Sequence, residues 1–324
     1  MKKRSVYNEC PEVRANRKCT NQKFRLQFNT LMRVTLAALW CMIAFFHALQ
    51  AQSEEDPCEI CKGGNHVEPR PYELSLRHEV PFIIASTASL TAGLIAQYAN
   101  NEKFLNMNEI NELDQSGLFF LDRNVVNNNS ETAASYSDFF RTSMTLLPIY
   151  FLSNHHTKED IWPLVAMSLE VFSTTFGMTS LAKNLAKRPR PFTYNPSVSL
   201  DRKLKVDAKR SFFSGHTSHT AAFTFFMAKV VADYHPNMKK GLKAMMWGGA
   251  VIIPATTAYL RVKAGRHFPT DVLAGYATGA FIGFIVPHLH KKKESTSRLS
   301  WQPLVTGGFT GLSLAVKLGA GTNY

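Results

Sequence analysis

The chain has 324 residues, of which 45% are hydrophobic and 19% charged, enough apolar material for one large domain or two small ones. The net charge of +13 is uneven, because residues 1–51 hold nine Lys or Arg against two Glu, and the remainder holds 28 basic against 22 acidic residues. This mild surplus argues against a dedicated nucleic-acid-binding protein, which would carry a basic stripe with interleaved aromatics, and it suits an anionic substrate.

The N-terminal region is typical of an export signal that starts late. Val34 to Ala48 form an uncharged apolar run of signal-peptide length, and Ala51 follows at a suitable cleavage position. Met32 would give a conventional signal if translation began there. Residues 1–51 are therefore interpreted as an extension followed by a signal peptide, with an uncleaved membrane anchor as the alternative.

Residues 52–79 are polar and are predicted to form an irregular exported segment. Cys58 and Cys61 have the spacing of a redox motif, but no βαβ pattern surrounds them. They are interpreted as a small local disulfide in an oxidising compartment. A redox-active pair and a zinc site, which would need two more ligands, are the alternatives.

Six apolar segments without strand-like alternation follow, and each is predicted to be a helix. They cover residues 80–99, 134–153, 162–187, 216–234, 244–263 and 271–288. The sequence therefore predicts an all-α bundle of about six core helices within residues 80–290. A polar loop at 102–133 and a basic loop at 192–211 connect some of these helices.

The C-terminal residues 291–324 begin with a basic linker and then change character. Leu312, Leu314 and Val316 alternate with small or polar residues, which is the period of a strand. The glycine pair at 307–308 suits a hairpin turn. The sequence therefore predicts a short C-terminal β-hairpin, to which we assign no function.

The charges inside the apolar segments bear on whether the bundle spans a membrane. A span needs about 20 predominantly apolar residues, whereas Glu170 and Lys229 each interrupt a segment. If the signal is cleaved, the mature N terminus lies outside, and three membrane spans would then place the basic residues 183–190 in the cytoplasm. The positive-inside rule places the lysines at 239–243 and 291–293 in the cytoplasm, and this requires residues 183–190 to lie outside. We therefore favour a compact exported bundle, with an integral membrane bundle as the alternative.

Three clusters place basic or His side chains at the ends of these helices. In the first, Lys183 and Arg190 lie two helical turns apart on one face, and Pro189 and Pro191 stop the helix. Two cations at a helix end can clamp a phosphate. The structural alternative is a solvated basic helix end that favours the helix dipole.

The second cluster, Ser214-Gly215-His216, comes just before the fourth predicted helix. The free amides at a helix N terminus favour an anion. His216 at this position could pass a proton to a leaving oxygen. The structural alternative is a capping serine beside a surface histidine.

The third cluster contains Arg261, His267 and Asp271. A histidine with an aspartate four residues later fits a nucleophile or base whose tautomer is held by a carboxylate. Asp271 also begins a ridge of small residues suited to close helix packing, which continues with Gly275, Gly279 and Gly283. Its carboxylate should therefore be buried and paired; a structural His–Asp bond is the alternative.

Taken in chain order, the three clusters resemble the three-part signature of the type 2 phosphatidic acid phosphatase and vanadium haloperoxidase superfamily. The clusters read Lys-x6-Arg-Pro, Ser-Gly-His and Arg-x5-His-x3-Asp. The resemblance covers roughly residues 134–288 and implies a helical bundle with its active-site loops at one end. Phe213 and Leu260 stand where the family usually has Pro and Ser, which bears on pocket shape and substrate preference.

The resemblance implies a metal-independent phosphatase, without a cofactor, that hydrolyses phosphomonoesters, lipid phosphates or pyrophosphates through a phosphohistidine. His267 would attack phosphorus, Asp271 would orient it, and His216 would protonate the leaving alcohol and then activate water. Phosphate would be bound by Lys183, Arg190, Ser214, Gly215 and Arg261. The sequence shows no Asp/Glu cluster suited to two metals, so these cations are expected to take the metal's place.

The alternatives are a vanadate-dependent haloperoxidase and a non-catalytic membrane bundle. As partners we expect a phosphorylated lipid or a small phosphomonoester and a membrane, and no nucleic acid. The expected location is the cell envelope, after export, with the active site on the periplasmic side.

Overall fold

The computed structural model describes residues 71–74, 76–99, 105–152, 161–292, 299–306 and 309–316. The proposed export signal, the five cysteines and the glycine pair at 307–308 lie outside the described residues. The interpretations given for them stay predictions.

The first of two compact units ends at His290, and six long helices dominate its described residues. They are α1 (Leu76–Ala99), α2 (Glu131–Leu146), α3 (Ile161–Ala186), α4 (Gly215–Tyr234), α5 (Lys240–Lys263) and α6 (Pro269–His290). Shorter helices lie at Met107–Asn111, Phe120–Arg123, Pro191–Tyr194 and Leu200–Lys203, with 3₁₀ turns at Leu147–Leu152 and Val206–Lys209. Each long helix overlaps one predicted segment, which confirms the prediction of an all-α bundle.

Residues at the helix ends fix where the helices begin and stop. Ser130 and Ser214 cap α2 and α4, since each hydroxyl accepts a hydrogen bond from a first-turn amide. At the end of α3, Lys187 adopts a φ of 45°, and Pro189 cannot continue a helix. The chain therefore leaves α3 abruptly, and Arg190 lies directly beyond this turn.

Helix α4 is the centre of the bundle, because most of its side chains are buried, and α6 lies directly against it. The ridge glycines Gly279 and Gly283 face backbone carbonyls of α4, and Gly275 faces that of the capping residue Ser214. A Cβ added at any of them would come within 2.0 to 2.6 Å of that carbonyl oxygen. The small-residue ridge thus lets the two backbones touch, which larger side chains would prevent.

Gly279→Ala is expected to destabilise the bundle by about 1–3 kcal/mol, the usual cost of overpacking, because its methyl group would lie 2.1 Å from the Ser218 carbonyl oxygen. The matched control is Gly249→Ala on α5, where nothing lies within 4 Å of the added Cβ. Alanine there should be neutral or stabilising by up to about 1 kcal/mol, since it favours helix. Denaturant unfolding of both variants is the measurement, and equal stabilities would contradict the close α4–α6 contact.

Large apolar side chains lie exposed on the outer surface of the bundle. They include Ile84 and Ile95 on α1, Trp162 and Leu169 on α3, Val251 and Ile252 on α5, and Leu273 and Phe281 on α6. Two stretches, Ile161–Tyr194 and Pro269–His290, are long and apolar enough to cross a membrane. Within an apolar 18-residue segment of each stretch, only 44% and 39% is buried in the bundle. This exposure favours the integral membrane alternative over the compact exported bundle that the interrupting charges suggested.

The second compact unit, residues 291–324, contains a hairpin and is described by itself. Strand β1 (Leu299–Thr306) pairs antiparallel with β2 (Phe309–Val316), with Leu299 opposite Val316 and Thr306 opposite Phe309. The alternating apolar residues of β2 predicted this strand.

Candidate active site

The clusters predicted to carry the chemistry meet at one end of the bundle. At the start of α4, the amide of Ser214 donates a hydrogen bond to the backbone carbonyl of Asp271 on α6, over 3.1 Å. The next residue, Gly215, lies against α3, since a Cβ there would be 3.4 Å from Lys183 Nζ. The C-terminal end of α3 therefore adjoins the N-terminal ends of α4 and α6.

A tight turn after α5 sets the position of the third cluster. Gly265 has a φ of 67°, a left-handed conformation that glycine adopts without strain. A Cβ at this residue would lie 2.0 Å from the Asn128 backbone oxygen. The polar 102–133 loop thus packs onto the turn and holds the segment that carries His267.

His267 lies in the loop between α5 and α6 and is fully buried. Its Nδ1 is 2.7 Å from the backbone carbonyl oxygen of Ser211. Because a carbonyl only accepts hydrogen bonds, Nδ1 carries the proton and Nε2 carries the lone pair. Nε2 is itself buried and has no hydrogen-bond partner among the described residues. The ring therefore presents a free basic nitrogen, which a nucleophile requires.

Burial lowers the pKa of His267 well below its ordinary value. The positive charge of Arg190, and then those of Arg261 and Lys183, lower this pKa further. The imidazole is therefore neutral at neutral pH. The three cations predicted to bind phosphate thus lie within electrostatic reach of one neutral histidine.

The carboxylate of Asp271 is not the direct partner of His267 that the four-residue spacing predicted. Its Oδ2 lies 3.8 Å from His267 Nδ1, beyond hydrogen-bond distance. It accepts hydrogen bonds instead from the Ser211 hydroxyl at 2.5 Å and the Phe268 amide at 2.8 Å. Asp271 is buried and paired as expected, but it orients His267 through Ser211 and the loop backbone.

A second buried carboxylate lies behind Asp271, and Arg188 joins the two. Arg188 Nη1 donates to Asp271 Oδ1 over 2.6 Å, and Nη2 donates to Asp122 Oδ2 over 2.7 Å. Asp122 also accepts from the Thr270 hydroxyl at 2.7 Å and is fully buried. The guanidinium of Arg188 lies 4.3 Å from the centre of the Phe268 ring. This network ties the His267 loop to the polar 102–133 segment.

Arg190, one of the predicted phosphate ligands, is buried and held by a partner that motif spacing did not indicate. Its Nε and Nη2 donate to the backbone oxygen and the carboxylate of Asp207, over 2.8 and 2.6 Å. Its Nη1 donates to the Arg266 carbonyl over 3.1 Å. These bonds use three of the five N–H groups of a guanidinium and leave two for an anion.

Arg261 and Lys183 are less fully engaged than Arg190. Arg261 Nη1 contacts the Ser137 hydroxyl at 3.2 Å and Asp138 Oδ1 at 3.3 Å. Arg261 Nε is buried without a hydrogen-bond partner among the described residues. Lys183 lies beside the first turn of α4, as Gly215 shows. A buried donor of this kind is costly to leave unpaired, and an anion between these groups would satisfy it.

The hydroxyl of Ser214 caps α4, and its predicted role as a phosphate ligand stays a prediction. It accepts a hydrogen bond from the Thr217 amide and lies 3.0 Å from the Thr217 hydroxyl. The amides of Gly215 and His216 lie in the first turn of α4, where no intrahelical acceptor exists. These amides are the donors that the helix offers to an anion.

His216 has a carboxylate partner that lies outside the three clusters. Its Nε2 is 2.6 Å from Oδ1 of Asp138 on α2. The same carboxylate oxygen contacts Arg261. Asp138 therefore lies between the predicted proton donor and one of the predicted phosphate-binding cations.

The described ranges contain no group of three or more His, Cys, Asp or Glu side chains arranged to hold a metal ion. Lys183, Arg190 and Arg261 are positively charged side chains within electrostatic reach of His267.

Comparison with known proteins gives three findings. Residues 161–295 match the PAP2 superfamily. Phosphatidylglycerophosphatase B of Bacillus subtilis (strain 168) is 29% identical over 126 residues, which are 39% of this chain and 58% of that protein's length. The chain is also similar to the crystal structure of a transmembrane PAP2-type phosphatidylglycerolphosphate phosphatase from Bacillus subtilis. The match covers 66% of this chain and 94% of that chain, with 21% sequence identity and a TM-score of 0.35.

Proposed function

We propose, on the basis of the match of residues 161–295 to the PAP2 superfamily, that the protein is a metal-independent phosphatase of lipid phosphates that acts through a phosphohistidine. The observation that carries the proposal is the environment of His267. Its ring is buried, protonated at Nδ1 and free at Nε2, within reach of three cations. A neutral nucleophile beside fixed positive charge is what phosphoryl transfer needs.

In the first step, Nε2 of His267 attacks phosphorus and the bond between phosphorus and the ester oxygen breaks. His216 gives its proton to the departing oxygen, so the alcohol leaves neutral. Lys183, Arg190 and Arg261 stabilise the charge that the transition state spreads over the three equatorial oxygens. The amide of Gly215 adds a backbone donor at the positive end of α4.

In the second step, His216 is neutral and takes a proton from water as that water attacks the phosphohistidine. The bond between phosphorus and Nε2 breaks, and inorganic phosphate leaves. His267 is again neutral and His216 is again protonated. The cycle therefore balances without a group beyond water and these side chains.

The apolar surface indicates the kind of substrate and the setting. The stretch Ile161–Tyr194 ends near the site and the stretch Pro269–His290 begins there, so two helices that could cross a membrane have their site ends together. We propose that the bundle lies in the membrane, with the site at one face. A phospholipid could then present its phosphate to the cations while its chains stay in the bilayer. The basic 202–210 loop favours an anionic headgroup, and the apolar run Val34 to Ala48 favours a periplasmic site.

The direct test is phosphate release by the purified chain from phosphatidate, phosphatidylglycerol phosphate, a prenyl diphosphate and p-nitrophenyl phosphate. We expect turnover to persist in EDTA and to be blocked by vanadate, which imitates the five-coordinate phosphorus on His267. Loss of activity on chelation would contradict the metal-independent mechanism. Halide oxidation by peroxide after vanadate loading, without phosphate release, would assign the haloperoxidase alternative instead.

A further inference from the structure

Asp138 lies on α2, outside the matched residues 161–295 and outside the three motif clusters. Its Oδ1 is 2.6 Å from His216 Nε2 and 3.3 Å from Arg261 Nη1. The side chain of Asp138 is 58% exposed, whereas that of His216 is 20% exposed. The partly exposed carboxylate therefore contacts both the proposed proton-transfer group and a proposed phosphate-binding cation.

The contact decides which nitrogen of His216 can exchange a proton with the substrate. A carboxylate accepts hydrogen bonds, so Nε2 of His216 is the nitrogen that keeps its hydrogen when the ring is neutral. The lone pair of the neutral ring, and the exchangeable proton of the charged ring, are then on Nδ1. In His267 the arrangement is reversed, because the Ser211 carbonyl holds the proton on Nδ1.

We propose that Asp138 is a positioning residue that fixes the tautomer of His216 and presents Nδ1 as the general acid and base. This proposal rests on the proposed function, since it assigns a partner to the residue that serves the leaving group there. In the Ser-His-Asp triad, a carboxylate likewise holds the histidine base in the correct tautomer and orientation. Here the oriented group serves the leaving alcohol and the attacking water.

The charges that face His216 come from two helices. Burial lowers the pKa of His216, and Arg261 on α5 and Arg141 on α2 lower it further. Asp138 opposes them and raises the pKa, through its hydrogen bond and its charge. The acid must be protonated in the substrate complex, where the negative charge of the bound phosphate raises this pKa, so kcat falls as pH rises through it. Removing the carboxylate should therefore move the alkaline limb of the kcat profile to lower pH.

The test compares Asp138→Asn with the wild type on two substrates. For dioctanoyl phosphatidate, whose leaving group needs a proton, we expect kcat/KM to fall by about 10²-fold, a typical value for general acid catalysis. For p-nitrophenyl phosphate, whose leaving group departs as a stable anion, we expect a fall of less than about 3-fold, because kcat/KM reports the first step. Asp138→Glu should restore part of the loss on phosphatidate.

Glu131→Gln is the matched control, because Glu131 is an exposed carboxylate on the same helix that pairs with Arg202 and Arg266 and not with His216. It should leave both substrates and the alkaline limb unchanged. Equal losses of Asp138→Asn on both substrates, or an unshifted alkaline limb, would overturn the proposal. If the wild type itself showed no His267-dependent turnover, the proposed function would fail instead, so the two failures are distinguishable.

Discussion

Replacing His267 by alanine is expected to lower phosphate release on the order of 10⁴-fold or more, the scale on which removal of a covalent nucleophile acts. The physical reason is that Nε2, which is buried without a hydrogen-bond partner among the described residues, is the nitrogen proposed to attack the bound phosphate. The measurement is turnover of phosphatidate, together with trapping of labelled phosphate on the protein. The wild type should form an acid-labile, alkali-stable phosphoprotein, and His267→Ala should not.

The control for this variant is His288→Ala, because His288 is an exposed histidine at the far end of α6, stacked on Phe284. This change should leave turnover and labelling unchanged. A His267→Ala protein that still became labelled would show that another group attacks phosphorus. The role assigned to the buried imidazole would then be wrong.

Replacing Arg188 by alanine is expected to have the largest effect on stability, about 3–5 kcal/mol, the cost of breaking a buried ion pair from one side. Arg188 bridges Asp122 and Asp271, and both carboxylates have no exposed surface. Without the guanidinium, two buried negative charges would face each other without a counter-charge. Denaturant unfolding in detergent would measure the loss, and activity should fall with it because Asp271 supports the His267 loop.

Arg202→Ala is the matched control for Arg188→Ala. The two arginines have similar exposed fractions, 21% and 24%, but the partner of Arg202 is Glu131, which is 66% exposed. An exposed pair contributes about 0–1 kcal/mol, so this variant should be nearly neutral. Adding Asp122→Asn to Arg188→Ala should recover part of the loss, since it removes one of the two buried charges. Equal destabilisation by Arg188→Ala and Arg202→Ala would contradict the network.

Local patterns in the sequence predict the helices and select the candidate reacting groups, because both depend on residues close in the chain. Apolar runs locate the six helices, and the four-residue spacing of Gly275, Gly279 and Gly283 predicts the surface that packs on α4. The motif spacing likewise selects His267 and the cations around it. In each case the signal lies within one helix or one loop.

The partners of these groups are not predictable in the same way, because they come from distant segments that carry no motif. Asp122 lies in a loop that the sequence suggests is merely polar, Asp138 lies in an apolar helix, and Asp207 lies among basic residues. Each is a single carboxylate outside any motif, and its role depends on which cation or histidine lies against it in the folded chain. The prediction of a direct hydrogen bond between Asp271 and His267 is wrong for the same reason. Ser211 is distant from both residues in the sequence, and only the folded chain places it between them.

The exposed apolar surface shows a limit of arguments from charge counting. Glu170 and Lys229 interrupt apolar segments, and so favoured a bundle outside the membrane. Both side chains are in fact turned inward, with 5% and 9% of their surface exposed. A charge that faces the interior of a bundle does not prevent the opposite side of the helix from contacting lipid.

The hydrogen bond that sets the tautomer of His267 comes from the main chain of Ser211. Every amino acid has that carbonyl group, so no substitution at position 211 deletes the acceptor. A substitution at this position can remove the hydrogen bond from the serine hydroxyl to Asp271, while the acceptor for His267 Nδ1 remains. The protonation pattern of the proposed nucleophile is therefore set by the course of the backbone and persists through changes at position 211, whereas the link to Asp271 can be lost by a single substitution.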